Sequence, residues 1–334
     1  MDTHSPKNLS YPQTYWDAAG AFQRSRAFLT AVELGLFAAL GAEERSSDEV
    51  AEALGTDRRA TDRLMNALAA TGTLEKRGGR FAHTPEGRRF LLPDSPEYLA
   101  GLMHQVNLWE SWSTLTDAVR AGTSVARESR RADEEKTEAF ISAMHDRARR
   151  AADGLVTRLD LREVRRVLDV GGGSGAYAAA FVRAGEATRA TVFDLPEVLP
   201  LTRRFLDMEG ASERVETKGG DYLHDPLPPG FDLALLSAIL HSNGVEENQL
   251  LIRKCATALR PGGWLVIQEF FMDEDRGGPA RAALFALNML VGTERGDTYT
   301  VGEVTGWMEA AGFTGMTRME IGPETAALVG RKEH

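Results

Sequence analysis

Apolar residues recur every three to four positions over residues 24–40, where Phe28, Leu29, Val32, Leu36 and Leu40 share one face, and that spacing predicts an amphipathic helix. Ser46-Ser47-Asp48-Glu49 carries a capping-box signal for a short helix that Gly55 closes. A third helix is expected from about Asp57 to Ala70, stopping at Gly72, and residues 73–76 and 80–83 flank Gly78-Gly79 as the arms of a hairpin. Three helices and a two-stranded wing describe a winged helix, expected over residues 1–97. A helical linker with covering helices follows over 98–160. Within it, one helix spans 98–122 with Trp109 and Trp112 on one face, 123–137 is a polar loop, and a second helix over 138–159 carries Phe140, Met144, Leu155 and Leu159.

From Arg165 the pattern changes to short apolar runs alternating with helical stretches, which predicts an α/β domain over 161–334. Strands are expected at 166–170, 189–193, 214–218, 231–239 and 264–270, the last after the Pro261-Gly262-Gly263 turn. The end differs: residues 317–321 and 326–331 flank Gly322-Pro323-Glu324 and read as a hairpin. The resulting sheet is mostly parallel and closed by one antiparallel strand. Open sheets of this kind bind ligands at the carboxyl ends of their strands, where Asp194, Asp221, His241 and Glu269 fall.

The first of these strands runs into Val167-Leu-Asp-Val-Gly-Gly-Gly-Ser-Gly175. Gly171, Gly173 and Gly175 permit a sharp turn and close approach of a ligand to the backbone, and the next helix aims its N-terminal N–H groups at that turn. A nucleoside-triphosphate loop would need a lysine after the glycines, and none follows. A dinucleotide fold would need Gly-x-Gly-x-x-Gly, whereas the spacing here is Gly-x-Gly-x-Gly with Asp169 just before it. That carboxylate would repel a pyrophosphate but can accept a hydrogen bond, directly or through water, from the ammonium of an amino-acid ligand. S-adenosylmethionine has such a group. Asp194 ends the next strand and is suited to accept both ribose hydroxyls. A tight strand-to-helix turn with no ligand would use the same glycines, so the reading rests on the turn and both acids together.

Composition narrows the classes. A net charge of −10 argues against a dedicated nucleic-acid binder. The single cysteine, Cys255, excludes an internal disulfide and sits in an apolar helical pattern, as a buried thiol would. A polar N-terminus and the lack of any run near the roughly 18 apolar residues of a membrane span predict no membrane partner and a cytoplasmic protein. Arg58, Arg59 and Arg63 on the third helix raise a DNA-binding alternative, which Asp57, Asp62 and the acidic preceding helix oppose.

Four further segments extend the glycine turn: Phe193-Asp-Leu-Pro-Glu-Val198, Gly219-Gly-Asp-Tyr222, Ser237-Ala-Ile-Leu-His241, and Pro261-Gly-Gly263 with Glu269. Through them nearly the whole chain resembles the small-molecule O-methyltransferases with an N-terminal winged-helix dimerisation domain, related to plant caffeate and bacterial antibiotic O-methyltransferases. The resemblance implies a class I methyltransferase Rossmann-like sheet, a homodimer, S-adenosylmethionine as cofactor, and no metal. It further implies that Gly171, Asp194, Asp221 and Tyr222 hold the cofactor, together with Asp169, Gly173 and Leu195, that His241 is the general base, and that Glu269 lies against it. Ser237 stands near the cofactor where the plant-like pattern often has lysine, Ser242-Asn243 replace Asp-Trp after the base, and a second glutamate is missing, with Asp297 the candidate to substitute.

The chemistry agrees with that assignment on independent grounds. A methyl sulfonium is already electrophilic, so the protein must supply alignment, which can contribute roughly 7–11 kcal/mol, and an activated nucleophile. A phenolic hydroxyl, with a pKa near 10, is mostly protonated at neutral pH. A histidine can remove that proton, for about 10²- to 10⁴-fold in rate, and a carboxylate on its other ring nitrogen fixes the tautomer. Trp109, Trp112, Phe140, Met144, Asn288 and Met289 lie on helices that would cover a small hydroxylated, aromatic acceptor; core packing competes as an explanation for Trp109, Trp112 and Phe140. A same-fold enzyme that binds the cofactor without methylating, and a winged-helix regulator, are the alternatives.

Overall fold

Left-handed glycines and capped helix starts segment the N-terminal part of the chain. The computed structural model describes residues 12–125, 134–322 and 325–333, and the chain divides into two units at Val106/Asn107. The first unit holds α1 (Gln13–Glu33), α2 (Leu36–Leu40), α3 (Ser47–Leu54), α4 (Arg58–Ala70), β1 (Leu74–Arg77), β2 (Arg80–His83) and α5 (Pro85–Phe90). The helix expected over 24–40 is two helices, because Gly35 takes φ of 69° between them, and α1 begins as early as Gln13. The capping box is present: Glu49 N donates to Ser46 Oγ while the Glu49 carboxylate accepts from Ser46 N. Leu36, Leu40, Met65, Leu68 and Phe81 form the buried core under the antiparallel β1–β2 wing.

A helix α6 (Leu102–Trp112) spans the boundary, and the second unit continues with α7 (Leu115–Ala121) and α8 (Glu134–Val156). The single helix expected over 98–122 is broken at Ser113-Thr114, whose hydroxyls donate to the carbonyls of Glu110 and Ser111 at 2.6 and 2.7 Å. Such local side-chain bonds compete with helix continuation. Most of the predicted polar loop, residues 126–133, lies outside the described residues, as do Pro323 and Glu324 of the last turn.

Then come β3 (Arg166–Val170), α9 (Ala176–Ala184), β4 (Arg189–Asp194), α10 (Leu199–Met208), β5 (Val215–Gly219), β6 (Phe231–Ser237), α11 (Val245–Ala258), β7 (Leu259–Glu269), α12 (Ala280–Gly292), α13 (Val301–Ala310), β8 (Phe313–Glu320) and β9 (Ala326–Lys332). They form one sheet of order β5-β4-β3-β6-β7-β9-β8, in which β9 alone runs against the others. Four of the five residues of β3 are buried, as a parallel strand covered on both faces requires. Val167, Leu233, Leu235 and Val266 pack with residues of α8 and α9 on one face. Leu168, Val170, Leu236 and Ile267 pack with α11 and α13 on the other. Cys255 is fully buried there, and burial pushes its thiol up to about 12, so it is an inert core residue.

β4 lies on one side of β3 and β6, parallel to it, on the other, so the winding of the sheet reverses between β3 and β6, and the carboxyl ends of these strands are the switch point at which open sheets bind ligands. One strand end differs from expectation. β6 stops at Ser237 because Ala238 adopts φ of 57°, and His241 sits beyond the strand in a 3-10 turn, Leu240–Ser242.

Candidate active site

The glycine turn after β3 is anchored from several sides. Gly171 N–H donates to Phe193 O at 2.7 Å, Gly173 N–H to Asp194 Oδ2 at 2.7 Å, and Thr202 Oγ1 to Gly173 O at 2.6 Å. Gly171 and Gly173 take φ of 64° and 54°, a region L side chains rarely enter. The steric demand is partly internal. A Cβ on Gly171 would lie 2.4 Å from Ile239 Cδ1, and one on Gly172 2.7 Å from Asp169 Cγ, whereas Gly173 has no atom nearer than Ile141 Cδ1 at 3.7 Å. The open approach for a ligand is therefore at Gly173, whereas Gly171 and Gly172 are glycines so that the turn can pack on its own protein.

Asp169 and Asp194 border this turn, and Asp221 follows the end of β5. Asp169 is 1% exposed, accepts a weak bond from Ala178 N–H at 3.3 Å, and is pushed up to about 7 by burial, with a further contribution from nearby Asp194. Asp194 is raised by burial too, against the pull of the Gly173 and Leu195 amides that it accepts. Leu195 is 40% exposed beside it. At Asp221, burial acts upward, but the His224 ring at 2.8 Å and the Leu223 N–H outweigh it and hold the carboxyl below its ordinary value. Tyr222 donates its hydroxyl to Asn243 Oδ1 at 3.2 Å, and burial pushes it up to about 12, leaving a neutral donor.

A polar group that sequence reasoning did not single out faces the same crevice. The Tyr177 hydroxyl on α9 is pushed up by burial, and the side chains of Ser237 and Gln268 act on it, as do the charges of Asp169 and of Arg147 on α8. Ser237 Oγ and Gln268 Oε1 lie 3.5 Å apart. The Arg147 guanidinium stacks over the Phe270 ring, 4.4 Å from its centroid. A buried carboxylate poor in donors, with a cation and neutral hydroxyls nearby, fits the ammonium and carboxylate of an amino-acid moiety. Asp194 keeps oxygen lone pairs for ribose hydroxyls. The residues present thus fit S-adenosylmethionine.

His241 and Glu269 meet where the switch-point crevice closes. His241 Nδ1 lies 2.8 Å from Glu269 Oε2, with the two side chains 12% and 6% exposed. Glu269 Oε1 accepts from Leu240 N at 2.8 Å and His241 N at 3.4 Å, and Oε2 also accepts from Phe270 N at 3.3 Å. Every contact on this carboxylate is a donor, so Nδ1 carries the ring proton and Nε2 presents a lone pair. Phe285 of α12 meets the imidazole edge-on at 4.8 Å, and Phe270 lies 4.6 Å from Phe285. Asp297, the candidate to replace the missing glutamate, accepts from Thr298 N and pairs with Arg276.

The expected acceptor-covering residues are distributed unevenly. Trp112 Nε1 donates to Asn288 Oδ1 at 2.8 Å, joining α6 to α12 three residues from Phe285. Met289 is buried, Trp109 and Met144 are half-buried, and Phe140 is 44% exposed.

Comparison with known proteins gives this geometry a family. The O-methyltransferase domain matches residues 112–314 and the O-methyltransferase dimerisation domain residues 16–93. The chain is 35% identical to a 3-hydroxy-5-methyl-1-naphthoate 3-O-methyltransferase of Streptomyces sahachiroi over 92% of this chain and 91% of the relative. It is 34% identical to the tetracenomycin polyketide synthesis 8-O-methyl transferase TcmO of Streptomyces glaucescens, over 93% and 94% of the two chains. It superposes on human N-acetylserotonin methyltransferase in complex with S-adenosylmethionine with a TM-score of 0.87 and 27% identity, over 98% of this chain and all of the other. The chain belongs to the S-adenosylmethionine-dependent O-methyltransferase family, and its helical N-terminal segment is that family's dimerisation module rather than a sign of DNA binding. Among the described residues no helix is long and apolar enough to cross a membrane.

Proposed function

We propose that this O-methyltransferase acts on a phenolic hydroxyl of a small aromatic metabolite, as a homodimer, with His241 as general base. The observation that carries the reading is the His241–Glu269 pair at the switch-point crevice, its free Nε2 bordered by Phe270 and Phe285. Bound at the glycine turn, S-adenosylmethionine supplies an electrophilic methyl group. Asp169 would receive the ammonium, Arg147 and Tyr177 would face the carboxylate of the same amino-acid moiety, and Asp194 would hold the ribose, while Leu195, Asp221, Tyr222 and Ser237 would line the remaining wall. His241 Nε2 takes the acceptor's hydroxyl proton as the oxygen becomes nucleophilic, and Glu269 stabilises the imidazolium so formed. The aromatic surfaces of Phe270, Phe285 and Trp112 suit a flat acceptor, and two relatives named for a naphthoate and a polyketide favour a fused-ring phenol.

The test is incubation of the purified protein with S-adenosylmethionine and a panel of hydroxylated mono-, bi- and tricyclic aromatics, followed by product mass. A product heavier by one CH2 unit, abolished when the phenol is already capped, is expected. Consumption of an acceptor without that gain, or methylation of amines alone, would overturn the reading.

A further inference from the structure

One buried histidine that methyl transfer does not use lies on α8. His145 on α8 is 5% exposed and stacks on Phe205 of α10 with ring centroids 4.2 Å apart. Its Nε2 lies 3.5 Å from Glu209 Oε1, and its Nδ1 lies 3.1 Å from the hydroxyl of Ser174. Glu209 is itself paired with Arg183 at 2.8 Å, and Arg183 also reaches Asp153. A carboxylate held by a guanidinium is an acceptor, so Nε2 bears the ring proton and Nδ1 is bare. The Ser174 hydroxyl then donates to Nδ1.

Ser174 occupies the middle of the glycine turn, between Gly173 and Gly175, whose φ values are 54° and 75°. Glycines have more backbone freedom than other residues, and that freedom must be given up when a ligand is held. Thr202 and Asp194 fix Gly173 from the α10 and β4 side. From the α8 side, the His145–Ser174 bond anchors the turn, and Ser174 is itself 4% exposed.

We propose that His145 is a positioning residue for cofactor binding: braced by Glu209, it holds Ser174 and thereby keeps the glycine turn in its receptive conformation. This rests on the reading of the turn as the cofactor site. It also links α8, which carries Arg147 beside the same crevice, to the turn through one buried bond. A helix and a loop on either side of the amino-acid moiety are thus held in register before the ligand arrives.

The experiment is calorimetric titration of the dimeric protein with S-adenosylhomocysteine. His145→Phe keeps the stack on Phe205 but removes both nitrogens, and it should weaken binding about tenfold, the loss expected for one buried hydrogen bond. His145→Asn restores an acceptor near the Nδ1 position and should recover most of the affinity, although it loses the stack and melts earlier. A side chain with a purely structural role would show the reverse order. Ser174→Ala, which removes only a hydroxyl, should weaken binding as much as His145→Phe, and the double variant should be no weaker than either single one. Unchanged affinity in Ser174→Ala, losses that multiply in the double variant, or no recovery with asparagine would overturn the proposal. If the wild-type protein does not bind, the cofactor-site reading fails first and the proposal fails with it.

Discussion

Replacing Glu269 by glutamine tests the catalytic assignment more sharply than removing the histidine. The glutamine amide has two orientations. With its oxygen toward His241 Nδ1, its NH2 faces the N–H groups of Leu240 and His241, which Glu269 Oε1 accepts at 2.8 and 3.4 Å. That leaves a fully buried Leu240 N–H opposed by another donor, at a cost of about 1–3 kcal/mol. In the flipped orientation the oxygen keeps the Leu240 and His241 bonds and the NH2 donates to Nδ1, giving up only the long Phe270 N bond at 3.3 Å. The second arrangement has the lower energy, and it moves the ring proton to Nε2, the atom meant to receive the acceptor's proton. The loss should therefore approach that of deleting the base, about 10²- to 10⁴-fold, or roughly 3–5 kcal/mol of barrier. The assay is the initial rate of S-adenosylhomocysteine formation with the best acceptor from the panel, beside calorimetric cofactor affinity, which should stay within about threefold. Because the two residues act as a unit, Glu269→Gln combined with His241→Ala should be no slower than His241→Ala alone. A Glu269→Gln enzyme that turns over at nearly the wild-type rate would refute both the tautomer argument and the role of His241.

Two further outcomes follow from other parts of the site. Asp169, pushed up to about 7 by burial, lies above the ordinary carboxylate value of 3.8, so its contribution to stability is fully present below pH 3.8 and is lost as pH rises through about 7. Asp169→Asn should accordingly stabilise the cofactor-free protein at pH 8 by up to about 4 kcal/mol relative to pH 4, read from urea midpoints, while weakening S-adenosylmethionine binding at least tenfold; equal midpoint differences at both pH values would count against it. Gly171→Ala should cost about 1–3 kcal/mol more than Gly315→Ala in the same unfolding assay, because both sites have φ near 65° but only at Gly171 does the new Cβ meet a side chain, Ile239 at 2.4 Å.

The parts of the site readable from sequence were those with a local signature. The glycine turn, the acids at successive strand ends and the closing hairpin each announce themselves within a few residues, because backbone turns and parallel strands restrict composition locally. His241 was legible as a residue but not in its setting. Nothing about Ala238 signals a left-handed conformation, so the apolar pattern reads as strand through residue 239 and carries no sign of the 3-10 turn. Tyr177, Gln268 and Arg147 were not legible at all. They stand on a helix, a strand and a second helix, each in a pattern that core packing explains, and only the tertiary fold brings them together. The helix breaks at Gly35 and Ser113-Thr114 were missed for another reason: apolar periodicity continues across them, while the φ value and side-chain bonds that stop the helices carry no periodicity.

The two halves of the site are built on opposite electrostatic terms. Around Glu269 every donor and acceptor is matched, so the carboxylate holds its turn and the histidine together, and activity and stability should fall together when it is changed. Around Asp169 the match is incomplete: a nearly fully buried carboxylate has a single long backbone bond and a second acid nearby, so the cofactor-free protein is destabilised by the group that would receive the cofactor's ammonium. Substitutions there should separate the two properties, raising stability as they lower affinity. The anchoring of the glycine turn by Thr202, Asp194 and His145 gains its meaning from this contrast. A turn free to move could relieve Asp169 by admitting water, and part of the cofactor's binding energy would then be consumed in expelling it. Holding the turn closed keeps the carboxylate desolvated, so that the ammonium meets a partner whose charge is not already satisfied.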